Sequence, residues 1–118
     1  MGFNDEFRER TKKFSLRVIK LFQALPRTDE ARIIGKQLLR CSTSIGANFR
    51  AATRARSSKE FYAKLCIVVE EADETIYWLE LLSESKIFPE SKLNEITQEA
   101  LEITKIASTT RKNFTFSK

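Results

Sequence analysis

Residues 57–82 read SSKEFYAKLCIVVEEADETIYWLELL, and this stretch decides the fold. Ser57-Ser58-Lys59-Glu60 has the form of a capping box, a hydroxyl at the cap and a glutamate three residues on. Behind it Phe61, Leu65, Val68, Ala72, Thr75, Leu79 and Leu82 recur at alternating steps of four and three, which sets them on one face of a helix. The pattern breaks around Ser83-Glu84-Ser85, and Pro89 suits the opening of another helix.

The same period continues on both sides. Upstream, Ile34, Leu38, Cys41, Ile45, Phe49 and Ala52 form a seam. Thr28 stands as its N-cap, with Asp29 and Glu30 in the first turn, where negative charge suits the helix dipole. Gly46 lies inside this helix at a cost relative to alanine, so either another backbone comes close there or the helix bends. Further upstream Phe7, Thr11, Phe14, Val18, Leu21 and Leu25 make a stripe that Pro26 stops. Downstream, Leu93, Ile96, Ala100, Ile103 and Ala107 make the last one. The spacing predicts helices over about 4–24, 29–55, 58–83 and 90–111, with a frayed tail over about 112–118 on which Phe114 and Phe116 could dock. Short connections favour antiparallel neighbours, hence one all-α domain spanning 1–118, an up-and-down four-helix bundle. The alternative is a pair of long hairpins that completes its core on dimerising.

Composition agrees. The chain has 118 residues, 31% charged and 42% hydrophobic, a globular balance. Three Gly and two Pro are too few for an all-β fold with many tight turns. Cys41 and Cys66 stand alone in apolar surroundings and read as reduced, packed thiols rather than a disulfide framework. Met1-Gly2-Phe3-Asn4-Asp5-Glu6 lacks the apolar core of a signal peptide, and no stretch has the apolar length of a membrane span. The expectation is a soluble cytoplasmic protein with no membrane partner.

Charge is unevenly spread. Residues 1–64 hold 15 Lys/Arg and 6 Asp/Glu, a balance of +9, and residues 65–118 hold 6 and 10, a balance of −4, which together give the net +5. On the second helix Arg32, Lys36, Arg40, Arg50 and Arg54 fall within about one quarter of the circumference, opposite the seam. Such a row can track phosphates; it can equally be a solvated face or meet acids on a neighbouring helix or subunit. No aromatic residue interleaves the stripe, so it gives no support for stacking on single-stranded bases. On the third helix Glu70, Asp73 and Glu74 point outward together with Ile67, Tyr77, Trp78 and Leu81, apolar groups surplus to one bundle; a wide core stripe explains Trp78 in part, but Tyr77 and Leu81 point too far round, which reads as a surface for self-association.

Catalytic chemistry is poorly supplied. The chain has no histidine, no glycine-rich phosphate loop and no nucleophile set for a triad. Carboxylates on the third helix could hold a divalent ion, yet bundle di-metal sites pair glutamates with histidine. No enzyme, cofactor or metal site is expected.

Gln37-Leu38-Leu39-Arg40-Cys41-Ser42-Thr43-Ser44-Ile45-Gly46-Ala47-Asn48 resembles the "QLLRS-x-TSIGAN" signature of a bacterial four-helix-bundle family. That family was first associated with intervening sequences in large-subunit ribosomal RNA genes. Ser58-Lys59-Glu60-Phe61 through Lys64-Leu65, and Glu71-Ala72 through Leu81-Leu82, are similar to its second block, and Arg10-Thr11 with Phe14 and Val18-Ile19 to its opening. The resemblance implies a left-handed bundle and, commonly, a ring-like homopentamer. A related bundle that assists retroelement reverse transcription carries a basic surface that engages nucleic acid and the transcriptase. Cys41 stands where serine is usual, and Arg50 falls in a stretch where members often carry an acid. For Thr43, Gly46, Ala47 and Asn48 the resemblance implies helix packing, with close approach at the small residues and register fixed by the Asn48 amide. Two functions follow as expectations: an oligomer that binds nucleic acid, structured RNA above all, through the second-helix stripe, or a homo-oligomeric scaffold for a protein partner.

Overall fold

Pro26 ends the first helix through the residue before it: Leu25 is extended at φ −67°, ψ 151°, the geometry a following proline imposes. The computed structural model describes residues 2–116 and places α1 at Phe3–Ala24, α2 at Asp29–Thr53, α3 at Ser58–Glu84 and α4 at Glu90–Lys112. No strand occurs among the described residues.

Both hydroxyl caps form. The Ala31 amide donates to Thr28 Oγ1 at 3.3 Å and the Glu60 amide to Ser57 Oγ at 3.1 Å. The carboxylate of Glu60 turns to Arg56 Nε at 3.8 Å. Expected to run to residue 55, α2 stops at Thr53, because the Arg54 and Ala55 amides bond carbonyls three residues back, a tighter turn than the helix. At the end of α3 Lys86 takes φ 62°; its amide reaches Ser83 O at 3.1 Å and the Phe88 amide reaches Leu82 O at 3.3 Å, closing the helix. Pro89 opens α4 as its N-cap, with the helix running from Glu90 as its spacing predicts.

Each helix packs against its neighbours in sequence, most extensively α2 against α3, and α1 meets α4 along the slimmest seam; the backbones of the diagonal pairs stay apart across the core. This is an up-and-down four-helix bundle of 52 × 22 × 21 Å. The seams read from the sequence form its core, from Phe7, Phe14 and Val18 on α1 to Leu93, Ile103 and Ala107 on α4. Ile34 and Phe61, expected within the seams, are only partly buried against it. Arg10 secures the α1–α4 seam with a fork, Nε and Nη2 each donating to Glu99 at 2.8 Å, and Nη2 also lies 3.1 Å from Glu102. The tail expected to fray is ordered by its rings: Phe114 stacks on Phe61 at 5.3 Å and 18°. Residues 117 and 118, part of that expected tail, lie outside the described residues.

Another backbone does come close at Gly46, the Thr11 carbonyl of α1, but the tighter glycine is Gly35. A Cβ at Gly35 would lie 2.8 Å from Leu25 Cδ1 and 3.1 Å from Phe22, whereas at Gly46 it would sit 3.5 Å from Thr11, an ordinary contact.

Candidate nucleic-acid interface

Burial of the α2 seam turns the opposite side of the helix outward, and Arg32, Lys36, Arg40, Arg50 and Arg54 are all exposed. They are not equivalent. Arg40 leans to α3, its Nη1 3.1 Å from Glu71 Oε2 and its Nη2 bonded to Glu74. Arg32 meets Asp29 of its own first turn at 3.6 Å. Lys36, Arg50 and Arg54 have no ion-pair partner among the described residues. Arg54 stands on the cap, φ −107° and ψ 11°, just off the helical run.

Packing adds two cations that the stripe did not contain. Arg8 and Lys12, one turn apart on α1, face Arg50 across a cleft of about 260 Å³ floored by Ser15, Gly46 and Ala47, with Glu9 also at its edge. Arg8 is steadied by Asp5, 2.8 Å from Nη2, and by Thr53 Oγ1, 3.5 Å from Nη1. The i, i+4 spacing of Arg8 and Lys12 was legible, but which side of α1 meets α2 depends on the packing. Lys12 and Arg50, with Arg8 shared with Asp5 and Glu9 also in the lining, leave the cleft net positive and able to hold an anionic oxygen group.

The packing motif is divided. Thr43 is half-buried and donates from Oγ1 to Leu39 O at 2.7 Å; Ala47 is exposed. Asn48 binds within its own helix, Nδ2 donating to Ser44 O at 2.9 Å and to Ser44 Oγ at 2.8 Å, so it fixes no register between helices of this chain.

The four residues assigned to self-association also separate. Tyr77 is 53% exposed. Trp78 is partly buried against the core and its Nε1 donates to Glu74 Oε2 at 3.1 Å, which ties it to the carboxylate that holds Arg40. Ile67 and Leu81 are half-buried. Trp78 is therefore partly spent on the bundle, and Tyr77 is the most available of the set.

Cys41 is buried and Cys66 half-buried, and both are free thiols. No group of three or more His, Cys, Asp or Glu side chains that could hold a metal occurs among the described residues, and none of their helices is long and apolar enough to cross a membrane.

Comparison with known proteins bears on the whole bundle. A family model described as 23S rRNA-intervening sequence protein matches residues 4–109. A solved structure from Bacteroides thetaiotaomicron, described as a protein of unknown function from the S23 ribosomal protein family, is 34% identical with a TM-score of 0.86. That match covers 93% of this chain and 98% of the other. Among curated proteins none matches.

Proposed function

The chain belongs to the 23S rRNA-intervening sequence protein family, and from that premise we propose that it is a non-enzymatic bundle protein that binds nucleic acid, structured RNA by preference, along the outer face of α2. The observation that carries this reading is the cleft where Arg8, Lys12 and Arg50 converge over Gly46 and Ala47. Lys36 and Arg54, exposed and without ion pairs among the described residues, extend the same surface in both directions. Phosphates spaced along a backbone suit such a row, and the ions they release supply the affinity. Self-association belongs to the same reading: the family resemblance implies a homo-oligomeric ring, five copies being favoured, and repetition turns a short basic surface into an avid one. The exposed Tyr77 supports a contact between copies.

Titration of structured RNA against the full chain over a range of salt tests it. Binding with a steep negative dependence of log affinity on log salt is expected, weakened in Lys12→Ala and Arg50→Ala. No binding at low salt to either RNA or DNA would overturn it. Light scattering of the same preparation tests the oligomer, for which a stable monomer is the contrary result.

The second reading is a protein-binding scaffold without a nucleic-acid role. In it the exposed charges of the same row, Lys36 and Arg54 among them, meet acids on a protein rather than phosphates. Isolation of the native complex separates the two: partner protein resistant to nuclease supports the scaffold.

A further inference from the structure

The basic row on α2 has no exposed aromatic residue within it, Phe49 beside Arg50 being buried in the core, but the fold brings aromatic rings near its end. Arg54 and Arg56 lead from the end of α2 into α3, whose first turns carry Lys59, Phe61 and Tyr62. The segment after α4 returns to this same end of the bundle. There Phe114 stacks on Phe61, and Phe116 lies 5.1 Å from Tyr62 and 5.3 Å from Phe114. The outermost ring is 52% exposed. Beside it opens a depression of about 550 Å³ lined by Arg56, Ser57, Ser58, Lys59 and Phe116. Arg56 meets Glu60 only at 3.8 Å, with its side chain 91% exposed, and Lys59 is exposed without an ion pair among the described residues.

We propose that this depression takes an unpaired nucleotide, its base stacked on the Phe116 ring and its flanking phosphates held by Arg56 and Lys59. This rests on the nucleic-acid reading and deepens it by naming a single-stranded element. A ring alone would suit any apolar partner. A half-exposed ring bordered by two cations, Arg56 following the exposed Arg54 by two residues along the chain, suits a base joined to phosphates, the combination by which single strands are held. Phe116 thus does two things: it closes the aromatic cluster below it and presents its free face to a ligand.

The test compares a hairpin RNA carrying 2-aminopurine in its loop with a fully paired duplex of the same length. The full-length wild type should quench the fluorophore on binding. Phe116→Ala should weaken the hairpin by between about fivefold and about a hundredfold, the worth of one stacked base, and leave the duplex unchanged. Phe116→Trp should restore the quench, and Lys59→Gln should lower the salt slope for the hairpin by less than about one. Melting of each variant confirms that the bundle is folded. Equal hairpin affinity in wild type and Phe116→Ala, or equal loss on hairpin and duplex, overturns the nucleotide site while the α2 reading stands. Failure of the wild type to bind either RNA overturns both.

Discussion

Arg40 Nη1 lies 3.1 Å from Glu71 Oε2, so the arginine in the middle of the basic row is committed to the α2–α3 seam. Lys36 and Arg50 have no such tie among the described residues. Lys36→Ala and Arg50→Ala should therefore each lower the slope of log affinity against log salt by up to about one, the share of one phosphate contact. Arg40→Ala should leave that slope nearly unchanged and reduce stability by up to about 1 kcal/mol, the range of an exposed ion pair. Fluorescence anisotropy across salt, with urea unfolding of the same variants, checks both. A larger slope change in Arg40→Ala would mean that its pairing with Glu71 and Glu74 opens to admit ligand.

The two helical glycines of α2 should respond differently to alanine. At Gly46 the added methyl meets Thr11 at 3.5 Å, so the usual helix gain of about 1 kcal/mol should be realised. At Gly35 it meets Leu25 at 2.8 Å and Phe22 at 3.1 Å; those side chains must shift, and the gain should shrink or reverse. Thermal melting of Gly46→Ala and Gly35→Ala gives the order. Because Gly46 floors the cleft beside Arg50, Gly46→Ala should also weaken RNA binding while stabilising the bundle. A loss of stability at Gly46 would instead locate a contact between copies there, since nothing within the chain forbids the methyl.

Helix positions and seams were legible because burial follows the helical period: every seam residue read on α1 and α4 is buried. What spacing cannot report is which flank of a helix meets which neighbour. Arg8, Lys12 and Arg50 are distant in sequence and share a cleft only because α1 and α2 lie side by side. Arg40 and Arg50 looked alike on a helical wheel, yet one leans to the acids of α3 and the other to α1. The width of the core stripe accounts for the partial burial of Trp78, and the i, i+4 spacing puts Glu74 beside it, but the bond between them depends on rotamer. The tail lacked a helical period, and the docking of Phe114 on Phe61 follows from where α4 ends.

The fork between Arg10 and Glu99 makes the α1–α4 seam sensitive to acid. Hydrogen bonding from Arg10 holds the Glu99 carboxyl below the usual carboxylate range, outweighing its partial burial. A depressed folded value means that the stabilisation is complete above the unfolded glutamate value of about 4.3 and is lost as pH falls through the folded one. Glu99→Gln should cost about 1 kcal/mol at neutral pH, with the difference from wild type closing in acid. Arg10→Lys should not substitute for Arg10, since an ammonium cannot make the planar fork. Urea unfolding at a series of pH values decides it; a constant gap down into strong acid would remove Glu99 as the titrating partner.

Burial pushes the Cys41 thiol above its ordinary value, against the opposing hydrogen bond from Thr75, whose Oγ1 lies 3.2 Å from Sγ. In the native protein, then, a thiol reagent at about pH 8 should modify the half-buried Cys66 well before Cys41. The raised value also sets a sign. Stability is fully present below the unfolded thiol value of about 8.5 and declines as pH rises through it toward the folded one, because the unfolded chain loses that proton first. Cys41→Ser should remove this part of the alkaline decline and fit the same space beside Thr75. Mass spectrometry of alkylated protein and unfolding curves on the alkaline side measure the two effects. Equal labelling of both cysteines under native conditions would contradict the burial of Cys41.

Lys86 closes α3 in a conformation that its side chain opposes. At φ 62° its Cβ crowds the following carbonyl, a cost of about 1 kcal/mol or more for any residue except glycine. Two backbone hydrogen bonds, Lys86 to Ser83 and Phe88 to Leu82, hold it there because they satisfy carbonyls left open at the end of the helix. Lys86→Gly keeps both bonds and removes the clash, though the freer unfolded chain offsets part of the gain. It should raise stability by about 0.5–1 kcal/mol, or a few degrees in Tm. Lys86→Val, β-branched at the same angle, should lower it by more than that. Since Lys86 is exposed, neither change disturbs the core, and thermal melting reads the helix closure directly. A Lys86→Gly variant that melts below wild type would show that the side chain itself, and not the backbone turn, secures the end of α3.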